Sequence, residues 1–198
     1  MDDKQRTDEG LRELALFAGA GGGILGGKLL GWRTVCAVER DPYAASVLMQ
    51  RQNDGILDPF PIWDDVRTFD GRPWRGRVDV VSGGFPCQGY STASRGRIVA
   101  EDFWPEMRRI VADVAPCYVF AENTERRAIN RAADDLEQMG YKARAIALSA
   151  ADLGADHVRG STLVTCTLRQ QWQIIQLRQC KSTIVAGTLS KYLGNLPH

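Results

Sequence analysis

Apolar residues along this chain come in short runs broken by glycine-rich or charged segments, and the runs alternate between a period near two and a period near 3.6. Glu13 to Phe17 is a compact apolar run and predicts a first strand. Gly19 to Gly23 reads as a turn, after which Ile24, Leu25, Leu29 and Leu30 recur at helical spacing until Gly31 closes the helix. Thr34 to Val38 predicts a second strand, and Asp41-Pro42 opens a second helix, since Asp caps an N-terminus and Pro suits the first turn. Pro61 to Trp63 and Val78 to Ser82 predict two further strands. Phe103, Met107, Ile110, Val111 and Val114 mark a helix with Pro105 in its first turn, and Tyr118 to Ala121 a fifth strand. Ile129, Ala132, Leu136 and Met139 mark the next helix, stopped by Gly140. Tyr141 to Leu148 and Ser161 to Leu168 predict closing strands.

Strands alternating with helices predict an α/β fold: a mostly parallel sheet with helices on both faces. Residues 1–10 read as a flexible lead-in and residues 11–168 as one catalytic-domain-sized unit. The stretch 169–198 breaks the pattern; it carries Arg169, Arg178, Lys181 and Lys191, no acidic residue and many glutamines, and predicts no element.

Composition changes this picture little. Among 198 residues, 44% hydrophobic content supports a sizeable core, and 25 basic against 24 acidic residues leave a net charge of +1, so any nucleic-acid-binding surface has to be local. No apolar run approaches the length of a membrane span, and the charged start Met1-Asp2-Asp3-Lys4 is not a secretory signal. Five scattered cysteines without a CxxC pair, and His157 and His198 as the sole histidines, argue against a metal site and for a reduced, cytoplasmic protein.

Chemistry concentrates in Gly83-Gly84-Phe85-Pro86-Cys87-Gln88, directly after the fourth predicted strand. Two glycines allow a sharp turn at a strand end, and proline fixes the backbone just ahead of the thiol. That presents one cysteine rigidly, and a thiolate is a strong nucleophile; a buried, inert cysteine is the bland reading of the same segment. Between the first strand and helix, Phe17 to Gly23 forms a glycine loop suited to a nucleoside cofactor at a helix N-terminus, and Glu39, 20 residues after Gly19, can accept hydrogen bonds from ribose hydroxyls. After the third strand, a carboxylate followed by Val66 suits an adenine amine and ring face, with Asp64 and Asp65 both candidates. Asn123 or Thr124 suits the cap of the helix that follows Glu122. The loop Tyr90 to Arg97 offers Ser91, Arg95 and Arg97 to phosphates, or is simply a solvated loop.

In this order, Phe17-Ala18-Gly19-Ala20-Gly21-Gly22, Glu39, Asp65-Val66, Pro86-Cys87-Gln88, Glu122-Asn123 and His157-Val158-Arg159 resemble the cytosine-5 DNA methyltransferases, over roughly Leu14 to Val164. The resemblance implies a Rossmann-like class I methyltransferase fold, incomplete at its C-terminus, with S-adenosyl-L-methionine as methyl donor and a flipped cytosine in DNA as substrate. It implies cofactor contacts from Phe17, Ala18, Gly19, Ala20, Gly21, Gly22, Glu39, Arg40, Asp65, Val66, Pro86 and Phe103, and DNA contacts from Gln88, Ser91, Arg95 and Arg97. It makes Cys87 the nucleophile, Glu122 the group at the cytosine N3 and amine, and Arg159 a support for glutamate and base.

The chemistry asks for such groups independently. Cytosine C5 becomes nucleophilic only once a thiolate has added at C6, and the electron flow toward N3 needs a proton there. The base has to leave the stack to be reached. Three departures stand beside the match. Ser161 occupies the position of a second arginine that in the family faces the base, with His157 and Thr124 replacing the usual glutamine and valine. The large target-recognition region has no counterpart in the remaining thirty or so residues, and the family's closing segment shrinks to at most Leu193-Gly194-Asn195. The expected function is therefore methyl transfer to cytosine C5 in DNA, with a second subunit supplying target recognition; the alternative is a catalytically impaired module that binds cofactor or DNA. A nicotinamide oxidoreductase using the same glycine loop leaves Pro86-Cys87-Gln88 and Glu122-Asn123 unexplained, and an RNA-directed relative shares these motifs.

Overall fold

A computed structural model describes residues 10–86, 102–148 and 162–169. Cys87, Gln88, Ser91, Arg95, Arg97 and Arg159 lie outside the described residues, as do the lead-in 1–9 and the tail beyond Arg169.

The chain runs β1 (Arg12–Leu16), α1 (Gly22–Leu29), β2 (Arg33–Val38), α2 (Pro42–Asn53), β3 (Ile62–Trp63), a single 3-10 turn (Arg72–Trp74), β4 (Val80–Gly84), α3 (Trp104–Val114), β5 (Tyr118–Asn123), α4 (Arg126–Gln138), β6 (Tyr141–Leu148) and β7 (Thr162–Arg169). These strands form one seven-stranded sheet in the order β3-β2-β1-β4-β5-β7-β6. β1 to β5 pair in parallel, while β7 runs antiparallel between β5 and β6. After β3 the chain returns to the far side of β1, so the strand order reverses between β1 and β4. In an open parallel sheet that reversal opens a crevice at the carboxyl ends of the strands, where ligands bind.

The expected elements are present with shifted ends. β1 alternates: Leu14 and Leu16 join the core beneath α3 and α4, whereas Ala15 joins the smaller core of Ile24, Leu48, Leu57 and Phe60 beneath α1 and α2. α3 turns Trp104, Met107, Ile110, Val111 and Val114 inward, a spacing that gives one continuous apolar stripe. Asp41 caps α2, its Oδ1 accepting from the Ala44 N–H at 2.7 Å, and Gly140 ends α4's segment at φ +87°.

Leu29 and Leu30 share helical spacing with Ile24 and are 90% and 43% exposed, because the helix's close approach to the sheet is made through Gly27 rather than through a leucine stripe. Two expectations are corrected. Gly83 and Gly84 are not a turn; both are residues of β4 with no positive φ. Asn123 and Thr124 do not cap α4, which begins after Glu125 without a side-chain cap; Asn123 is 5% exposed and bonds elsewhere.

Candidate active site

A cavity of about 530 Å³ opens at the carboxyl ends of β1, β2 and β4, within the usual range for a small-molecule site. Its walls come from four successive strand ends: Phe17 after β1; Val38 to Pro42 after β2; Asp65 and Val66 after β3; and Gly84 and Pro86 at and after β4, with Phe103 at the head of α3.

Phe17, Gly19 and Gly21 all have positive φ, so the chain leaving β1 doubles back tightly before α1. Gly21 has a second reason to be glycine, since a Cβ there would stand 2.6 Å from Leu48 Cδ2. The Gly19 N–H donates to Glu39 Oε2 at 2.6 Å and the Asp41 N–H to Oε1 at 2.7 Å. One carboxylate thus fastens the first loop to the second, and charge-assisted bonds of this length are strong. Phe17 meets Phe103 edge to face at 5.9 Å, closing one apolar wall.

At the third strand, Asp65 and Val66 line the cavity and Asp64 does not. Arg67 grips Asp65 through Nε and Nη2, and these bonds, with the nearby Arg40 charge, hold the Asp65 carboxyl at about 2. Arg109 of α3 donates to the Val66 carbonyl at 2.8 Å and to the Phe69 carbonyl at 2.9 Å, fixing this wall from behind.

The glycine pair of β4 makes room. A Cβ on Gly83 would stand 2.6 Å from the Leu16 carbonyl oxygen, and one on Gly84 2.7 Å from Glu122 Oε2. Gly84 pairs with Glu122 across the parallel β4–β5 ladder, so the Glu122 carboxyl lies against a residue that also lines the cavity. Glu122 is half-buried, and burial pushes its carboxyl above the ordinary value. Beside it, Asn123 donates from Nδ2 to the Phe85 carbonyl at 2.7 Å and accepts from the Glu125 N–H at 2.8 Å. The Phe85 ring packs on Trp104 at 5.2 Å, and the Pro86 carbonyl accepts from the Phe103 N–H at 3.2 Å. The backbone immediately before Cys87 is therefore held on both sides.

Phe17, Glu39, Arg40, Asp65, Val66, Pro86 and Phe103 are thus brought together in one cavity. Ala18, Gly19, Ala20, Gly21 and Gly22 are not wall residues; they shape the loop behind Phe17. Sequence reading missed Arg109 and Glu13. Arg109 leaves no signal because its targets are backbone carbonyls some forty residues distant. Glu13 was absorbed into an apolar run, yet it is a 1% exposed carboxyl accepting from Ser82 Oγ at 2.6 Å and Thr34 Oγ1 at 2.8 Å. Among the described residues no cluster of metal-ligating side chains occurs, and no helix is long and apolar enough to cross a membrane.

The model of one protein family, C-5 cytosine-specific DNA methylase, matches residues 11–196. The Type II methyltransferase M.PspPI of Psychrobacter sp. is 34% identical over 143 residues, covering 64% of this chain and 32% of that protein. M.NgoMIV of Neisseria gonorrhoeae, also a Type II methyltransferase, is 30% identical over 159 residues, covering 76% of this chain and 49% of that protein. The chain therefore spans at most about half the length of these curated relatives. Among solved structures, a putative DNA modification methyltransferase encoded within an E. coli prophage superposes with a TM-score of 0.61 at 25% identity, covering 80% of this chain and 47% of that one. The Dnmt2 methyltransferase of S. pombe has the same fold, with a TM-score of 0.63 at 20% identity over 87% of this chain and 56% of that one.

Proposed function

The chain belongs to the C-5 cytosine-specific DNA methylase family, and from that premise we propose that it transfers a methyl group from S-adenosyl-L-methionine to C5 of a flipped cytosine in DNA, through a covalent adduct on Cys87. One observation carries the reading: Gly84 lines the cavity, and a Cβ on it would stand 2.7 Å from Glu122 Oε2, so the proposed methyl-donor site and a carboxyl whose pKa burial raises meet at a single glycine.

The cavity suits the cofactor by its donor set as well as its volume. The Glu39 carboxylate suits ribose hydroxyls, ionised Asp65 suits an adenine amine, Val66 suits the ring face, and Phe17 and Phe103 give an apolar wall. When bound, S-adenosyl-L-methionine supplies an activated methyl group. Cys87 follows Pro86 directly, and its thiolate adds at cytosine C6. Thiolate addition at C6 pushes the C5=C6 electron pair toward N3, where Glu122, which keeps its proton to higher pH because of burial, supplies a proton and leaves C5 enamine-like. C5 then takes the methyl group and S-adenosyl-L-homocysteine leaves; the C5 proton passes to a solvent base, its electron pair re-forms the C5=C6 bond as the Cys87 thiolate departs, and N3 returns its proton to Glu122. Arg159 steadies Glu122 and the base, and Gln88, Ser91, Arg95 and Arg97 hold the strand around the extruded nucleotide. Residues 11–168 form the catalytic unit, and a second subunit supplies target recognition.

A duplex carrying 5-fluorocytosine tests the proposal, because fluorine at C5 blocks the final proton loss and traps the adduct. The full chain, supplied with cofactor and, where needed, the recognition subunit, should yield a covalent protein–DNA band that Cys87→Ser abolishes. Methyl transfer that survives Cys87→Ser sinks the mechanism. Cofactor binding without any adduct identifies the impaired binding module, the reading that Ser161 favours.

A further inference from the structure

We infer that Arg131 is a positioning residue for methyl transfer. With Asp135 it clamps the two residues on either side of Phe103, and so sets the cavity wall and the backbone entering Cys87 relative to Glu122. The inference rests on the methyl-transfer reading above and adds which side chain holds the two halves of that site in register.

β5 ends at Asn123, so α4 starts just after Glu122, and Arg131 and Asp135 are neighbours on one of its faces. Both reach the head of α3. Arg131 Nη2 donates to Asp102 Oδ2 at 2.6 Å, and Trp104 Nε1 donates to Asp135 Oδ2 at 2.7 Å. Asp102 Oδ1 also accepts from the Trp104 N–H at 3.1 Å, which closes the clamp on itself. Between the clamped residues, Phe103 sets its ring against Phe17 in the cavity wall, and its N–H donates to the Pro86 carbonyl at 3.2 Å. Pro86 lines the same cavity and immediately precedes Cys87 in the chain. The buried Trp104 ring packs on Phe85, whose carbonyl Asn123 holds, so the contacts lead back to β5 beside Glu122.

A stabilising role alone does not account for Arg131. Its ion pair with Asp102 is partly exposed on both sides, where such pairs add little to stability. The same guanidinium leaves Nε buried with no partner among the described residues, and an unpaired buried donor is costly. The fold therefore gains little from keeping an arginine here. What the arginine does is fix Asp102, and through it the backbone N–H that ties Phe103 to Pro86. Without it Asp102 loses its tie to α4. A shift of about 1 Å between reacting groups can cost about a hundredfold in rate, so a contact remote from the base is felt in the chemistry.

Two readouts test this on the 198-residue chain. Hydrogen exchange followed by NMR reads the Phe103 N–H directly. In Arg131→Met that amide should exchange about tenfold faster, while the amides of Leu14 and Leu16, buried in β1, keep their wild-type rates. Single-turnover adduct formation on a 5-fluorocytosine duplex, at saturating S-adenosyl-L-methionine and with the recognition subunit where needed, reads the chemistry. Arg131→Met should form the adduct about tenfold more slowly, and Arg131→Lys, which keeps a cation facing Asp102, at close to the wild-type rate. Asp102→Asn should match Arg131→Met, and the double variant should be no slower than either, since all three remove one contact. Unchanged exchange at Phe103 overturns the proposal, as does faster exchange at Leu14 and Leu16 as well, which makes Arg131 a general stabiliser. An adduct that forms equally fast in wild type and Arg131→Met also overturns it. A wild-type chain that forms no adduct overturns the methyl-transfer reading itself, a result distinct from equal rates.

Discussion

At the scale of single residues, two buried polar side chains hold strands β1 and β5 to their neighbours. Glu13 sits inside the sheet, where burial raises its carboxyl above the ordinary 4.5 more than the Ser82 and Thr34 hydroxyls lower it. In the unfolded chain it ionises near pH 4.5, while the folded form keeps its proton to higher pH. Its contribution to stability is therefore full below that value and is lost as pH rises through the raised folded pKa. Glu13→Gln, neutral at every pH, should flatten the pH dependence of stability on the alkaline side of 4.5, as read by urea denaturation at a series of pH values. Asn123 is the second such residue. Asn123→Leu leaves the Phe85 carbonyl without its donor, and an orphaned buried acceptor costs about 1–3 kcal/mol. Thermal melts should show that loss, and the adduct at Cys87 proposed above should form more slowly because the backbone leading to it is no longer tied to β5. Asn123 was legible as a polar residue beside Glu122, but its partner was not, since Phe85 lies 38 positions earlier.

At the scale of elements, α3 carries more of the cavity than its amphipathic pattern suggests. Its buried stripe was readable from spacing alone, and so was its start near Pro105. Its polar face was not, because Arg109 serves the loop after β3 and Arg75 of that loop reaches back to the Ala112 and Asp113 carbonyls at 2.8 Å. Gly71 packs so tightly on α3 that a Cβ would stand 2.8 Å from Asp113 Cβ. Phe103 and the Val66 wall are thus referred to one helix. Arg109→Met removes both carbonyl contacts while preserving most of the side chain's apolar stem. It should raise the KM for S-adenosyl-L-methionine several-fold with little change in kcat, since Arg109 touches a wall and not the reacting atoms. A fall in kcat at unchanged KM would contradict that role. The exposure of Leu29 and Leu30 belongs to this scale too: periodicity located α1, but glycine, by allowing close approach, decided which of its faces meets the sheet.

At the scale of the whole molecule, four loops from separate strands build one cavity, so a ligand filling it should stabilise the fold as a unit. S-adenosyl-L-homocysteine at one hundred times its Kd should add about 2.7 kcal/mol, seen as a raised melting temperature. Asp65→Ala should diminish that rise, whereas Asp64→Ala, outside the cavity wall, should leave it intact. The sequence by itself determined the alternation of strands and helices, the glycine-rich turn after β1 and the order of chemical motifs, because each is written in local spacing or in backbone preference. Tertiary structure alone decided that β7 inserts antiparallel between β5 and β6, that Asp65 rather than Asp64 faces the cavity, and that Gly84 yields its side-chain space to Glu122. The physical reason is common to all three: each depends on which residues distant in the chain become neighbours, and strand pairing and close packing fix that only when the sheet assembles.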